Sequence, residues 1–218
     1  MFDEIIDLTY TMSCNMYHFK GDPPVQISSF HTIQRDGWNV SQITFGSHSG
    51  THIDAPSHII EGGPTVDEIS LDRFFGHAAV LDVSYKKPGE AIKVDDLKII
   101  ENFRNFDSVL LYTGMSKYWG DENYLTNFSY LELEVAELLV NLKVKIVGVD
   151  WMTVEKFGGD GSVHKKLLSN NIVIVENLIN LDKIINEVVL FTCFPLKFDG
   201  LDGAQTRAVA FRFKNNIA

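Results

Sequence analysis

Residues 47–58 read Ser-His-Ser-Gly-Thr-His-Ile-Asp-Ala-Pro-Ser-His, and this stretch restricts the fold more than any other. His48 and His52 are four apart, a helical spacing, but Gly50 between them and Pro56 just beyond oppose a helix. In an extended chain with a period of two, His48, Gly50, His52, Asp54, Pro56 and His58 share one side, with Ser47, Ser49, Thr51, Ile53, Ala55 and Ser57 on the other. A straight strand, at about 3.3 Å per residue, would put His48 roughly 13 Å from His52. Two imidazoles that each sit about 2 Å from one ion cannot span that. The segment must therefore bend, and Gly50, with no Cβ, is the place to bend it and to leave room for an ion between the flanking rings.

Two neutral imidazoles and one carboxylate suit a divalent transition ion such as zinc, and three protein ligands leave coordination positions open to water. His48, His52 and Asp54 are accordingly read as metal ligands. His58 lies beyond Pro56 on the same side, placed to exchange protons with a water at the ion. The ordinary histidine pKa of about 6.5 suits that work, so His58 is the expected catalytic group.

The 218 residues fit one domain, 1–218, with a substantial core; 45% are hydrophobic. Apolar runs such as 172–175 fall far short of the roughly 20 residues that cross a bilayer, and Met1-Phe2-Asp3-Glu4 lacks the basic start of a signal peptide. A cytoplasmic protein without a membrane partner is expected. Nineteen basic against twenty-nine acidic residues give a net charge of −10, which disfavours nucleic acid. Cys14 and Cys193 form neither a Cys-x-x-Cys pair nor a disulfide framework, as in a reducing compartment.

In chain order, residues 2–9 predict an opening strand, and 14–25, with Gly21, Asp22, Pro23 and Pro24, a surface loop. The aromatic cluster Tyr17, His18 and Phe19 makes that loop a candidate lid over a site. Residues 25–33 and 38–46 predict paired strands around Asp36-Gly37, and 71–75 a short helix. Strands are expected at 78–83, 108–113, 145–149, 172–175, 187–194 and 207–213. Asp95 is positioned to cap a helix through Phe103, and Ser129 with Glu132 reads as a capping box for a helix to about Leu142. Leu133, Ala136, Leu139 and Val140 would share its apolar side. Ser162 would cap a short helix containing His164, and 195–206 reads as loop. Strands and helices without strict alternation indicate an α/β fold with a mixed sheet.

The pattern His-x-Gly-Thr-His-x-Asp-Ala-Pro-x-His, met at every fixed position by residues 48–58, resembles the metal-dependent cyclase family, which includes bacterial kynurenine formamidases and isatin hydrolases. The resemblance runs from Gly21-Asp22 to Arg207. It implies a swivelling β/β/α fold, a homodimer or homotetramer with active sites near the interface, and His48, His52 and Asp54 on metal with His58 as acid or base. Members with a two-metal centre carry a further His and, twelve residues on, a Glu followed by Asn; His164, Glu176 and Asn177 match. By that resemblance Asp54 would bridge two ions, with His164 and Glu176 completing the second; a single ion with both residues around it is the alternative. Zinc, one or two per chain, or manganese would serve. Phe19 stands where kynurenine formamidases have Trp in Trp-Pro-Gly-Asp, as a substrate contact, and Asp202-Gly203 with Arg207-Ala208 resemble the family's Asp-Gly-Ser-Pro-Val-Arg-Ala ending, with Ala204-Gln205-Thr206 in place of Ser-Pro-Val.

The implied reaction is hydrolysis of a non-peptide carbon–nitrogen bond in a small amide or lactam. An aryl formamide such as N-formyl-L-kynurenine is the first expectation, with a cyclic amide such as isatin or a lactone second. A metal-binding protein without turnover is the reading from a different class. A structural zinc site usually closes on four Cys or His ligands, however, and would have no use for His58.

Overall fold

Ser108–Tyr112 is buried at every position, as expected of an apolar run with packed layers on both faces. It lies at the centre of a nine-stranded mixed sheet in a computed structural model that describes residues 2–14 and 16–213. Residues 1, 15 and 214–218 of the expected single domain lie outside the described residues. The strands are β1 (Phe2–Asp7), β2 (Gln26–His31), β3 (Val40–Thr44), β4 (His52–Asp54), β5 (Phe75–Asp82), β6 (Ala91–Ile92), β7 (Ser108–Tyr112), β8 (Tyr130–Leu131), β9 (Ile146–Val149), β10 (Val173–Glu176), β11 (Val188–Thr192), β12 (Gly203–Gln205) and β13 (Val209–Phe213). The α-helices are α1 (Ile33–Asp36), α2 (Leu133–Asn141) and α3 (Ser162–Leu168).

The sheet order is β1-β13-β11-β5-β7-β9-β10-β4-β12, parallel from β5 through β10 and antiparallel elsewhere. Alternate side chains of β7 feed two cores. Val109 and Leu111 join Val135, Ala136 and Leu139 of α2 and Leu167 of α3, while Leu110 and Tyr112 join Ile53, Val175 and Phe191 on the opposite face. Each fully buried aliphatic side chain contributes about 1.5–3 kcal/mol, so both layers are firmly held. Among the described residues, no helix is long and apolar enough to cross a membrane.

The predicted strands form with shifted ends, β5 beginning three residues earlier than expected at Phe75, and several local expectations fail for identifiable reasons. Ser129 and Glu132 make no capping box: Tyr130–Leu131 is extended and pairs with β6, and Glu132 occupies the N-cap without a side-chain bond. The helix turns Val135, Ala136 and Leu139 inward and leaves Leu133 40% exposed, so the expected apolar face is rotated. The helix expected after Asp95 is 3-10 (Val94–Asn102), with Lys93 at the N-cap and the Asp96 carboxylate accepting from Lys93 N–H. The expected helix at 71–75 is a 3-10 turn, Leu71–Arg73, and Phe75 already belongs to β5. Gly161, not Ser162, occupies the N-cap of α3. The supposed loop 195–206 contains β12, which pairs with β4.

β2 and β3 form a separate two-stranded ribbon in which Ile27, Phe30, Val40 and Ile43 are all exposed. Thr32 caps α1 by accepting from Arg35 N–H, and Gly37 closes that turn with φ 85°.

Candidate metal centre

The segment 47–58 bends where expected. Gly50 has φ 68°, a left-handed conformation that a side chain would strain. The space its Cβ would need is filled by Met12 Sδ, at 2.8 Å, and Met16 Cε, at 3.0 Å. Gly50 thus makes room for these methionines, not for an ion. Only His52–Asp54 is strand, and Pro56–His58 is a 3-10 turn, so the two-residue alternation does not run the full length. The bend still sets the His48 and His52 rings perpendicular with centroids 4.9 Å apart.

β4 lies between β10 and β12, which puts Glu176 directly opposite His52 on one side and Gln205 opposite it on the other. Side chains opposite each other on adjacent strands share a face. Glu176 Oε2 therefore comes within 3.6 Å of His52 Nε2, and His52 Nε2 within 3.3 Å of Asp54 Oδ1. α3 brings His164 over the same face, with Nε2 3.3 Å from Glu176 Oε1 and 3.7 Å from Asp54 Oδ2. His48 Nδ1 is 2.9 Å from Asp54 Oδ1.

Two triads of potential ligands result, His48/His52/Asp54 and Asp54/His164/Glu176, joined at Asp54. The donors of each triad lie within 4.8 Å of one another. A third grouping, His48/His58/Asp202, lies nearer the surface. His164 and Glu176 thus lie beside His48, His52 and Asp54.

The polar chemistry of this pocket fits a divalent cation. His52 donates Nδ1–H to Gly50 O at 2.8 Å, which turns Nε2 toward the carboxylates of Asp54 and Glu176. His52 Nε2 and Asp54 Oδ2 are buried without a hydrogen-bond partner. Buried polar atoms without partners are unfavourable, and a cation held between them would satisfy both.

Carboxylates also face His48 and His164. Burial pulls the His48 imidazolium down, but Asp202 and Asp54 outweigh it and push its pKa up to about 10. His164 is likewise drawn down by burial yet raised to about 10 by Glu155 and Glu176. Burial raises the Asp54 carboxyl, but His48 and His52 hold it well below the usual carboxylate range.

Around this centre the structure supplies partners that the sequence did not reveal. Asp202 Oδ2 is 3.0 Å from His48 Nε2 and 3.4 Å from His58 Nδ1, linking a candidate ligand to the candidate acid or base. The hydrogen bond to His48 holds Asp202 below the usual carboxylate range. Glu155 Oε2 lies 3.2 Å from His164 Nδ1, fixing that ring with Nε2 toward the cluster. Glu155 carried no signal in the sequence; Asp202 carried only its place in the C-terminal family pattern.

Asp150, which ends β9 where an active-site carboxylate can sit, is instead consumed by structure. It accepts from Thr113 N and Oγ1 and from Gly114 N at 2.6–2.9 Å, while burial raises its pKa to about 6.

His58 is the most exposed of the clustered histidines. Its ring lies 4.1 Å from that of His48 and 5.8 Å from that of His164, centroid to centroid. A cavity of about 730 Å³ adjoins the cluster, lined by His48, His52, His58 and Glu176 and by the exposed Phe19 and Phe157. The Phe19 and Phe157 rings stand 6.4 Å apart, tilted by 46°. Phe19 thus lines the same cavity as the clustered histidines.

The chain and its fold match a known family. The Cyclase family model ("Putative cyclase") matches residues 6–156, and the chain belongs to that family. An uncharacterized protein of Methanocaldococcus jannaschii is 34% identical over 95% of this chain and 98% of its own length. A kynurenine formamidase of Bacillus cytotoxicus is 27% identical over 94% of this chain and 96% of its own. Among solved structures, isatin hydrolase A from Ralstonia solanacearum superposes with a TM-score of 0.86 at 24% identity, covering 96% of this chain and 92% of that one. A "predicted metal-dependent hydrolase" from Bacillus stearothermophilus gives a TM-score of 0.78 at 26% identity, covering 95% and 98%. Together with the ligand clusters, these relatives support a metal-dependent hydrolase.

Proposed function

We propose that this protein hydrolyses a non-peptide carbon–nitrogen bond of a small aryl formamide, of which N-formyl-L-kynurenine is the best candidate. The observation that carries this reading is the pair of ligand triads sharing buried Asp54 beside a cavity that also holds His58. His48, His52 and Asp54 would hold one divalent ion, and Asp54, His164 and Glu176 a second; zinc or manganese would suit these donors. Bound there, such ions polarise a carbonyl and lower the pKa of water. His58 takes a proton from the attacking water and passes it to the leaving nitrogen, with Asp202 holding its ring. Phe19 and Phe157 receive the aryl group. A cyclic amide or a lactone would use the same groups and is the second reading.

The chain acts as one domain in a homodimer or homotetramer, a reading supported by the exposed apolar side chains of the β2–β3 ribbon, Trp38 among them at 62% exposed. An isolated two-stranded ribbon is at best marginally stable in water. Two free cysteines accord with a reducing cytoplasmic setting.

The test is a panel of aryl formamide, isatin and lactone substrates assayed with zinc- and manganese-loaded protein and a His58→Ala control. Formamide cleavage that drops roughly 10²–10⁴-fold in the variant is expected. A metal-loaded wild type inert across the panel would refute the enzymatic reading.

A further inference from the structure

We propose that Gln205 is a positioning residue for His48, pinning the turn that carries this ligand to the strand pair that carries His52 and Asp54. The proposal rests on the metal reading above. Gln205 Nε2 donates toward three backbone carbonyls of one turn, Gly46 O at 2.9 Å, Ser47 O at 3.0 Å and Ser49 O at 3.2 Å. Carbonyl oxygens only accept, so their convergence allows the carboxamide a single orientation, NH₂ toward the turn. At the other end of the amide, Oε1 is buried without a partner. The side chain is therefore placed to suit its donors alone.

Without Gln205 the turn keeps its internal hydrogen bonds but loses the three contacts that tie its backbone to β12. Ser49 N–H donates to Gly46 O, and Gly46 N–H to Ser49 Oγ, both at 3.1 Å and both within the turn. Gln205 instead belongs to β12, where it pairs with His52 of β4. Its amide thus fixes the distance between the backbone bearing His48 and the backbone bearing His52.

The same three-residue strand confines the His48 ring from its side. A Cβ on Gly203 would lie 2.7 Å from His48 Cε1, so the ring occupies space that only glycine leaves free. Asp202, the residue before, holds Nε2. By contrast, His164 and Glu176 arrive on α3 and β10. Gln205 should therefore govern the ion held by His48 and leave the Asp54/His164/Glu176 position intact.

The test strips the protein with chelator and titrates zinc against a chromophoric competitor, comparing wild type with Gln205→Met, Gln205→Asn, His48→Ala and His164→Ala. Methionine keeps the length of the side chain and removes the donors. Gln205→Met should weaken the His48-dependent ion roughly 10–100-fold. The His164-dependent ion should bind as in wild type, and the metal-free protein should melt at the wild-type temperature. Should Gln205→Met not fold, Gln205→Asn, which retracts the amide by one methylene, should show the same selective loss.

A variant that binds the His48-dependent ion as tightly as wild type overturns the proposal. So does one in which both affinities and the metal-free melting temperature fall together, the signature of a merely structural residue. Wild-type protein that takes up no zinc, or whose uptake is unchanged by His48→Ala, refutes the metal reading itself and the role of Gln205 with it.

Discussion

Loading the centre with metal should expel protons. Both ring nitrogens of His48 face carboxylates, Asp54 at 2.9 Å and Asp202 at 3.0 Å, and both of His164 face glutamates, Glu155 at 3.2 Å and Glu176 at 3.3 Å. A ring with an anion at each end is satisfied only as the doubly protonated cation. Against the opposing effect of burial, these carboxylates raise each pKa to about 10, so the metal-free centre carries two imidazolium ions at pH 7.5.

A cation that takes His48 Nδ1 and His164 Nε2 must displace one proton from each, so filling both positions releases about two protons per chain. Each displaced proton makes binding about 1.4 kcal/mol, or tenfold, stronger per unit rise in pH, up to about pH 10. The sign for folding is the reverse. These raised pKa values stabilise the metal-free fold fully below about pH 6.5, the unfolded value, and that contribution is lost as pH climbs through about 10. Calorimetric zinc titrations in buffers of different ionisation enthalpy count the protons. Identical apparent enthalpies in all buffers, with affinity flat from pH 7 to 9, would refute the reasoning.

Three further outcomes follow from named contacts. Glu155→Gln removes the anion that orients His164, and zinc affinity at the His164-dependent position should fall roughly 10–100-fold in the same competition assay while the other ion is unaffected. Phe19→Ala should raise KM for an aryl formamide several-fold, about what losing one aromatic contact costs, with metal content unchanged; steady-state kinetics with metal analysis reads both. Trp38→Glu places a charge on the exposed ribbon and should shift the protein toward monomer by light scattering, with no change in the far-ultraviolet circular dichroism of the subunit.

How much of this was legible beforehand depended on whether a feature is local. His48, His52, Asp54 and His58 lie within eleven positions, and the bend at Gly50 followed from chain geometry alone. His164 and Glu176 are more than a hundred residues away and meet the others only because β10 pairs with β4. No periodicity shows that, and only resemblance pointed to them.

Glu155, Asp202 and Gln205 act through a ring or a turn elsewhere in the chain, a relation that exists only after folding. β12 is invisible in the sequence because three residues, Gly-Ala-Gln, are too few to show a strand period. The capping box at Ser129 failed because pairing between β6 and β8 claimed the backbone first. Tertiary pairing overrode a local signal there.

The most direct test is metal analysis of protein purified without chelator, compared with Asp54→Asn and His164→Ala. Two equivalents of zinc or manganese per wild-type chain, one in His164→Ala and none in Asp54→Asn is the predicted result. A wild type that holds no divalent ion, or an Asp54→Asn protein that holds as much as wild type, would contradict a centre built on that carboxylate.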